Sequence, residues 1–299
     1  MGQTVTDDRW SVVLAAGNGR RLARVTRGTP KQFWRADGRP SLLEDTFARI
    51  TPLARSERTT VVVDRTHRSY VPGAGRSWPA EWLVYQPEDR GTAAGVLLAL
   101  SPVLDATQEA IVIITPSDHG VGDPSQFQAG VREAAAAVRS GNVDIVLFGV
   151  EPSEPVTEYG WITPGPGYRW ANDRPLRRIA EFVEKPTADH ACRLFAAHAL
   201  WNTMVLVART EALLALYRTH LPYLADVFET YQRLPSQKRG RFLATRYADL
   251  PVADFSRDVL TPARGIAVYG WGQSIGWSDL GTPDRLSRWR DRVPAQLSA

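Results

Sequence analysis

The stretch Val12-Val13-Leu14-Ala15-Ala16-Gly17-Asn18-Gly19-Arg20-Arg21-Leu22 sets the reading of the whole chain. An apolar run this short, entered from a polar segment that holds Asp7 and Asp8, is neither a membrane span nor a signal-peptide core. Bounded by glycine, it predicts a buried strand, and glycines at its carboxyl end let backbone N–H groups approach a phosphate closely. A bare Gly-x-Gly also occurs in ordinary tight turns. The following residues separate the two cases: Arg20, Arg21, Arg24, Arg27 and Lys31 put five cations within twelve residues of Gly19, which suits a triphosphate or pyrophosphate. A dinucleotide loop would carry a third glycine near Leu22, and a Walker loop would carry Gly-Lys-Ser/Thr; the sequence has neither.

Outward from this turn, short apolar strands alternate with amphipathic stretches. Strands are predicted over residues 10–16, 59–63, 81–85, 110–115 and 144–150. Helices are predicted over residues 41–50, where Ser41 and Glu44 have capping-box spacing, over 92–100, and over 124–140, closed by Gly141. That alternation predicts an α/β fold with a doubly wound, mainly parallel, Rossmann-like sheet. Beyond Pro152, proline and glycine crowd the chain as far as Pro175. Strands are then predicted at 178–183, 204–208 and 266–269, and helices at 210–219, 225–234 and 282–289, whereas residues 236–264 carry no readable period. Residues 1–9 are expected to be disordered and residues 10–299 to form a single domain.

With 299 residues, 43% of them hydrophobic, the chain can bury a sizeable core. Its net charge of +4 comes from cations scattered among 32 acids, so no nucleic-acid partner is expected. No stretch approaches the roughly 20 apolar residues of a membrane span, and a cytoplasmic location is expected. The sole cysteine, Cys192, excludes an intrachain disulfide and is expected to be a small, buried or half-buried hydrophobe. Only Lys31, Lys185 and Lys238 are lysines among 36 basic residues, which draws attention to positions that keep a compact ammonium.

Residues 14–33, LAAGNGRRLARVTRGTPKQF, resemble the signature of the sugar-1-phosphate nucleotidyltransferases: a glycine-rich loop, Arg-Leu, then Pro-Lys-Gln-Phe. The Gln-Phe ending is typical of the mannose-1-phosphate guanylyltransferase branch. The resemblance implies the family's glycosyltransferase-A-like fold, a nucleotide-binding half over residues 10–150 and a sugar-binding half over 151–299. In the family the loop, here Leu14, Ala16, Gly17 and Gly19, holds the nucleotide phosphates, while the matching Arg21 and Lys31 neutralise departing pyrophosphate. Arg20 and Arg24 depart from the usual small residue and proline.

Further motifs follow in the family's order. Residues 86–93, QPEDRGTA, resemble Glu-Pro-x-x-Arg-Asn-Thr-Ala, which implies nucleotide contacts from Gln86, Arg90 and Thr92; Gly91 replaces asparagine. Pro116-Ser117-Asp118-His119 resembles Pro-Ala-Asp-His, which implies a nucleotide contact at Ser117 and a magnesium ligand at Asp118. An aspartate after a strand is also a common turn former. His119 is expected to be a packing or hydrogen-bonding neighbour. Trp277-Ser278-Asp279-Leu280-Gly281-Thr282 resembles Trp-x-Asp-Val-Gly-Ser/Thr and implies the second magnesium ligand, Asp279, with a plain Asx-turn as the alternative. Two carboxylates with phosphate oxygens and waters suit Mg2+ better than zinc.

On the sugar side, Phe182-Val183-Glu184-Lys185-Pro186 matches Phe-Val-Glu-Lys-Pro, which implies that Glu184 contacts sugar hydroxyls and Lys185 holds the sugar phosphate. Residues 157–162, TEYGWI, resemble Thr-Gly-Tyr-Gly-Tyr-Ile, and residues 201–204, WNTM, resemble Trp-Asn-Ser-Gly; Tyr159, Gly160 and Asn202 are the implied sugar contacts. Glu158 and Met204 stand where the family has glycine. The implied partners are a nucleoside triphosphate, GTP favoured, and a sugar 1-phosphate, mannose 1-phosphate favoured. Another nucleotide or sugar, a silent nucleotide-sugar-binding protein, and self-association stay open.

Overall fold

The computed structural model describes residues 9–35, 39–71, 80–167 and 176–292. The N-terminal residues expected to be disordered lie outside these, apart from Arg9, which opens the first strand. The first half comprises β1 (Arg9–Ala15), α1 (Leu42–Ile50), β2 (Thr59–Asp64), β3 (Leu83–Gln86), α2 (Gly91–Ala106), β4 (Ile111–Pro116), α3 (Pro124–Arg139) and β5 (Ile145–Val150). The second half adds β6 (Gly160–Gly167), β7 (Leu176–Glu184), α4 (Ala188–Ala196), β8 (Leu200–Arg209), α5 (Thr210–His220), α6 (Pro222–Arg233) and α7 (Ser236–Arg246). A π-helical turn (Phe255–Leu260), β9 (Ala267–Trp271) and α8 (Pro283–Arg292) complete it. No helix among the described residues is long and apolar enough to cross a membrane.

β1 pairs in parallel with β2 and β4, and β2 with β3, so their carboxyl ends share one edge. Alternate side chains of these strands feed two cores. Val13, Val61 and Ile113 pack with Leu43 and Phe47 of α1 and Phe127 and Val131 of α3. Val12, Val62 and Val112 pack with Val96 of α2, Tyr217 of α5 and Phe228 of α6 on the opposite face. Helices on both faces cover the continuous apolar runs seen in the sequence, as a doubly wound sheet requires.

The expected run of parallel strands ends at β4. Its neighbour is β8, antiparallel to both β4 and β5, and only beyond it does β5 pair in parallel with β9. The sheet is therefore mixed. β6 pairs with β7 and also with β8, so β8, β5, β9, β7 and β6 close on themselves. Pairing slips within β8, from Leu147↔Leu206 to Gly149↔Asn202, which marks a bulge. Side chains satisfy the interrupted ladder there: Thr203 Oγ1 donates to the Phe148 carbonyl (2.7 Å), and Met204 N donates to Asn202 Oδ1 (3.1 Å). Met204 takes a left-handed backbone, φ 58°, which costs a residue with a Cβ about 1–2 kcal/mol.

Two local expectations change. Cys192 is exposed on α4 rather than buried. The segment without readable period holds α7 and the π-helical turn.

Candidate active site

Where β1 ends, Gly19 adopts φ 57°, and a Cβ there would meet Lys31 N at 3.0 Å and Lys31 Cβ at 3.1 Å. The glycine is required by both conformation and space. Gly17, by contrast, has nothing within 4 Å of a notional Cβ and presents its backbone to the cleft. Gln32 pins the loop from below: buried, it donates Nε2 to the carbonyls of Ala15 (2.8 Å) and Gly17 (3.0 Å).

Lys31 is buried beneath the same loop, where an unpaired ammonium would be costly. Its Nζ donates to Asp118 Oδ2 (3.2 Å) and to the Asp279 carbonyl. Lys31 thus ties the segment after the glycine loop to the end of β4 and to the loop before α8. Two further ties fix this arrangement: Ser117 N donates to the Leu14 carbonyl (3.0 Å), and Gly120 and Ser278 exchange backbone bonds of 2.9 and 3.0 Å.

Asp279 accepts from Tyr159 Oη (2.7 Å), Gly281 N (3.0 Å) and Arg285 Nη1 (3.3 Å), all at Oδ1. Burial pushes its carboxyl upward, but the Tyr159 bond, His119, the Gly281 amide and Arg285 together hold it below the usual range. Burial likewise acts on Asp118 and is outweighed by Lys31, so this carboxyl also stays low. Burial lowers His119, which packs edge-on against Trp277 at 5.3 Å between centroids, as a packing neighbour does. Tyr159, expected at the sugar, spends its hydroxyl on Asp279, and burial foremost drives its own pKa far up. Both carboxylates are held ionised, and oxygen donors of this kind are the ones a hard cation such as Mg2+ takes.

A cleft of about 390 Å3 opens over this knot. Leu14, Ala16 and Gly17 line it with Gln86 and Thr92 on one side and Ser117 and Asp118 on the other. Arg90 does not reach it; its guanidinium turns to Glu88 Oε1 (3.0 Å). Arg21, just after the loop, does not line the cleft; it stands 3.9 Å from Glu158, and its Nη2 sits 3.2 Å from where a Cβ on Gly281 would be. Met204 and Asp254 close another wall.

Residues expected to contact the sugar gather around Gly160. A Cβ there would stand 2.6 Å from Glu184 Oε2, 3.1 Å from Phe182 Cζ and 3.2 Å from Asn202 Cβ, so the glycine makes room for the carboxylate beside Asn202. Burial and the nearby Asp254 raise the Glu184 pKa against the opposing pull of Lys185. Lys185, at φ 49° and well exposed, sets Nζ 3.6 Å from Glu184. Gln32, Asp254 and Arg285 complete the site without having been singled out in the sequence. Only Gln32 carried a signal, as a member of the Pro-Lys-Gln-Phe motif.

The sequence pattern of the nucleotidyl transferase family matches residues 10–295, and the chain belongs to that family. Xanthan biosynthesis protein XanB of Xanthomonas campestris is 32% identical over 222 residues, 72% of this chain and 45% of that protein. A mannose-1-phosphate guanylyltransferase of Escherichia coli is 27% identical over 279 residues, 91% of this chain and 58% of that protein. The chain therefore spans about half the length of the curated relatives it matches. A Thermus thermophilus structure described as a mannose-1-phosphate geranyltransferase superposes with a TM-score of 0.81 at 28% identity, covering 94% of this chain and 79% of that one.

Proposed function

We propose that the protein transfers a nucleoside monophosphate from a nucleoside triphosphate to a sugar 1-phosphate and releases pyrophosphate, with GTP and mannose 1-phosphate as the favoured pair. The observation that carries this reading is the buried Lys31, held between Asp118 and the Asp279 carbonyl directly under a glycine loop that borders the cleft. An aspartate pair arranged around a lysine below a phosphate loop is suited to gathering phosphates and their charge.

The sugar phosphate is already an anion at neutral pH, so its oxygen can attack the α-phosphorus in line without a strong general base. The P–O bond to that oxygen forms as the bond to the pyrophosphate oxygen breaks. The backbone at Leu14, Ala16, Gly17 and Gly19, with Gln86, Thr92 and Ser117, would seat the nucleotide. Arg21 and Lys31 would take up charge on the departing pyrophosphate, and Lys185 would hold the incoming phosphate. Asp118 and Asp279 would hold Mg2+, whose charge offsets that of the phosphate oxygens. Glu184, Asn202 and the space at Gly160 would orient the sugar.

Loss of one such cation should cost about 2–4 kcal/mol of transition-state stabilisation. The test is pyrophosphate release by Lys31→Ala and Asp118→Asn. The reading predicts a fall of about 30-fold or more in each; turnover within about threefold of wild type in both would sink it.

A further inference from the structure

Asp279 faces a guanidinium as well as an ammonium. Arg285, in the first turn of α8, sets Nη1 3.3 Å from Asp279 Oδ1 and 3.5 Å from Oδ2, and its guanidinium lies 4.8 Å over the Tyr159 ring. The Arg285 and Asp279 side chains are only 19% and 12% exposed, so water screens this pair weakly. A fixed cation in that place orients the carboxylate, but it also repels any divalent cation approaching the same oxygens.

The balancing charge comes from Glu158. Its Oε2 accepts from Arg285 Nη1 at 3.0 Å and stands 3.9 Å from Arg21 Nη1. Glu158 stands where the motif that residues 157–162 resemble has glycine. The Arg21 contact is between exposed groups and contributes little. The Arg285 contact adjoins the buried carboxylate and counts for more.

We propose that Glu158 is the counter-charge that keeps Asp279 available to a divalent cation. By pairing with Arg285 it cancels the guanidinium's charge beside Asp279, while Arg285 still fixes the carboxylate's orientation together with Tyr159 and Gly281. Glu158 and Arg285 are positioning residues, and the proposal rests on the reading of Asp118 and Asp279 as the metal-holding pair.

The test is Mn2+ binding, followed by the electron paramagnetic resonance signal of free Mn2+, on the full chain without substrates. Glu158→Gln strips Arg285 of its counter-charge and should raise the Mn2+ Kd about fivefold or more. Arg285→Gln removes the repelling charge and should leave Kd at or below the wild-type value. The double variant should return to within about twofold of wild type, and Glu158→Asp, which keeps the charge, should stay close to wild type. A purely structural role would make the double variant at least as weak as Glu158→Gln. That result, or a Glu158→Gln Kd within twofold of wild type, overturns the proposal while leaving the metal reading intact. Absence of Mn2+ binding by the wild-type protein removes the metal reading, and this proposal with it.

Discussion

Replacing Gly160 by alanine tests the sugar side of the site with a single methyl group. Gly160 does not have a left-handed backbone, so alanine fits the strand and the effect is steric. The new Cβ would lie 2.6 Å from Glu184 Oε2, against an ordinary contact of at least 3.4 Å, so the carboxylate must retreat by roughly 0.8 Å. Phe182 and Asn202, at 3.1 and 3.2 Å, have less to give. The strain should cost about 1–2 kcal/mol of stability, well short of unfolding. A carboxylate displaced this far loses a charge-assisted hydrogen bond to the sugar, about 1.5–3 kcal/mol, which corresponds to a roughly 10- to 100-fold loss in kcat/KM for the sugar phosphate. The assay is pyrophosphate release, with the sugar 1-phosphate and the triphosphate varied separately. The triphosphate KM should move less than about threefold. If instead the sugar-phosphate kcat/KM stays within twofold of wild type, or the triphosphate KM bears the whole effect, Glu184 does not address the sugar.

Other perturbations reach separate parts of the molecule. Gly91 sits at φ 82° with the Ala253 carbonyl oxygen 2.2 Å from a notional Cβ. Gly91→Ala should therefore strain the backbone and break the Ala93–Ala253 and Ala253–Arg90 bonds, costing about 2–4 kcal/mol in denaturant titration; a loss under about 0.5 kcal/mol would contradict the tight packing of residues 251–254 on α2. Burial raises the half-buried Asp45 to about 6 despite the opposing Arg49. A raised native pKa stabilises the fold below the unfolded value near 3.8 and loses that contribution as pH climbs through about 6. Relative to Asp45→Asn, wild type should lose about 1–2 kcal/mol between pH 4 and pH 7, after discount for partial exposure; parallel stability profiles for the two proteins would refute the assignment.

The sequence revealed those elements whose cause is local. β1 and β4 carry the continuous apolar runs Val12–Ala15 and Ile111–Ile114 because both faces of each are covered, and α1 begins where Ser41 and Glu44 exchange their capping bonds. β6 was hidden because Pro164, Gly165 and Pro166 read as loop; the ladder accommodates them through register shifts at Pro164. α7 was hidden because it buries no residue and so has no apolar period. The place of β8 between β4 and β5 is a matter of strand order, which periodicity does not encode.

The site divides in the same way. The glycine loop, Lys31, Asp118 and Asp279 were legible as motifs, and the fold joins them through one buried ammonium. Arg90 fits its motif, yet its side chain has a nearer partner in Glu88. Glu158 and Arg285 are 127 residues apart in sequence, and Tyr159 and Asp279 are 120 apart; these pairings exist only once the sheet closes.

Whether the chain performs nucleotidyl transfer to a sugar phosphate is decided by pyrophosphate release from the wild-type protein with Mg2+, four nucleoside triphosphates and a panel of sugar 1-phosphates. We expect release that needs both a triphosphate and a sugar 1-phosphate, greatest with GTP and mannose 1-phosphate. Release with a different pair would keep the transfer chemistry and reassign the pocket, whereas no release with any pair, in a protein that still binds the nucleotides, would contradict the proposed activity.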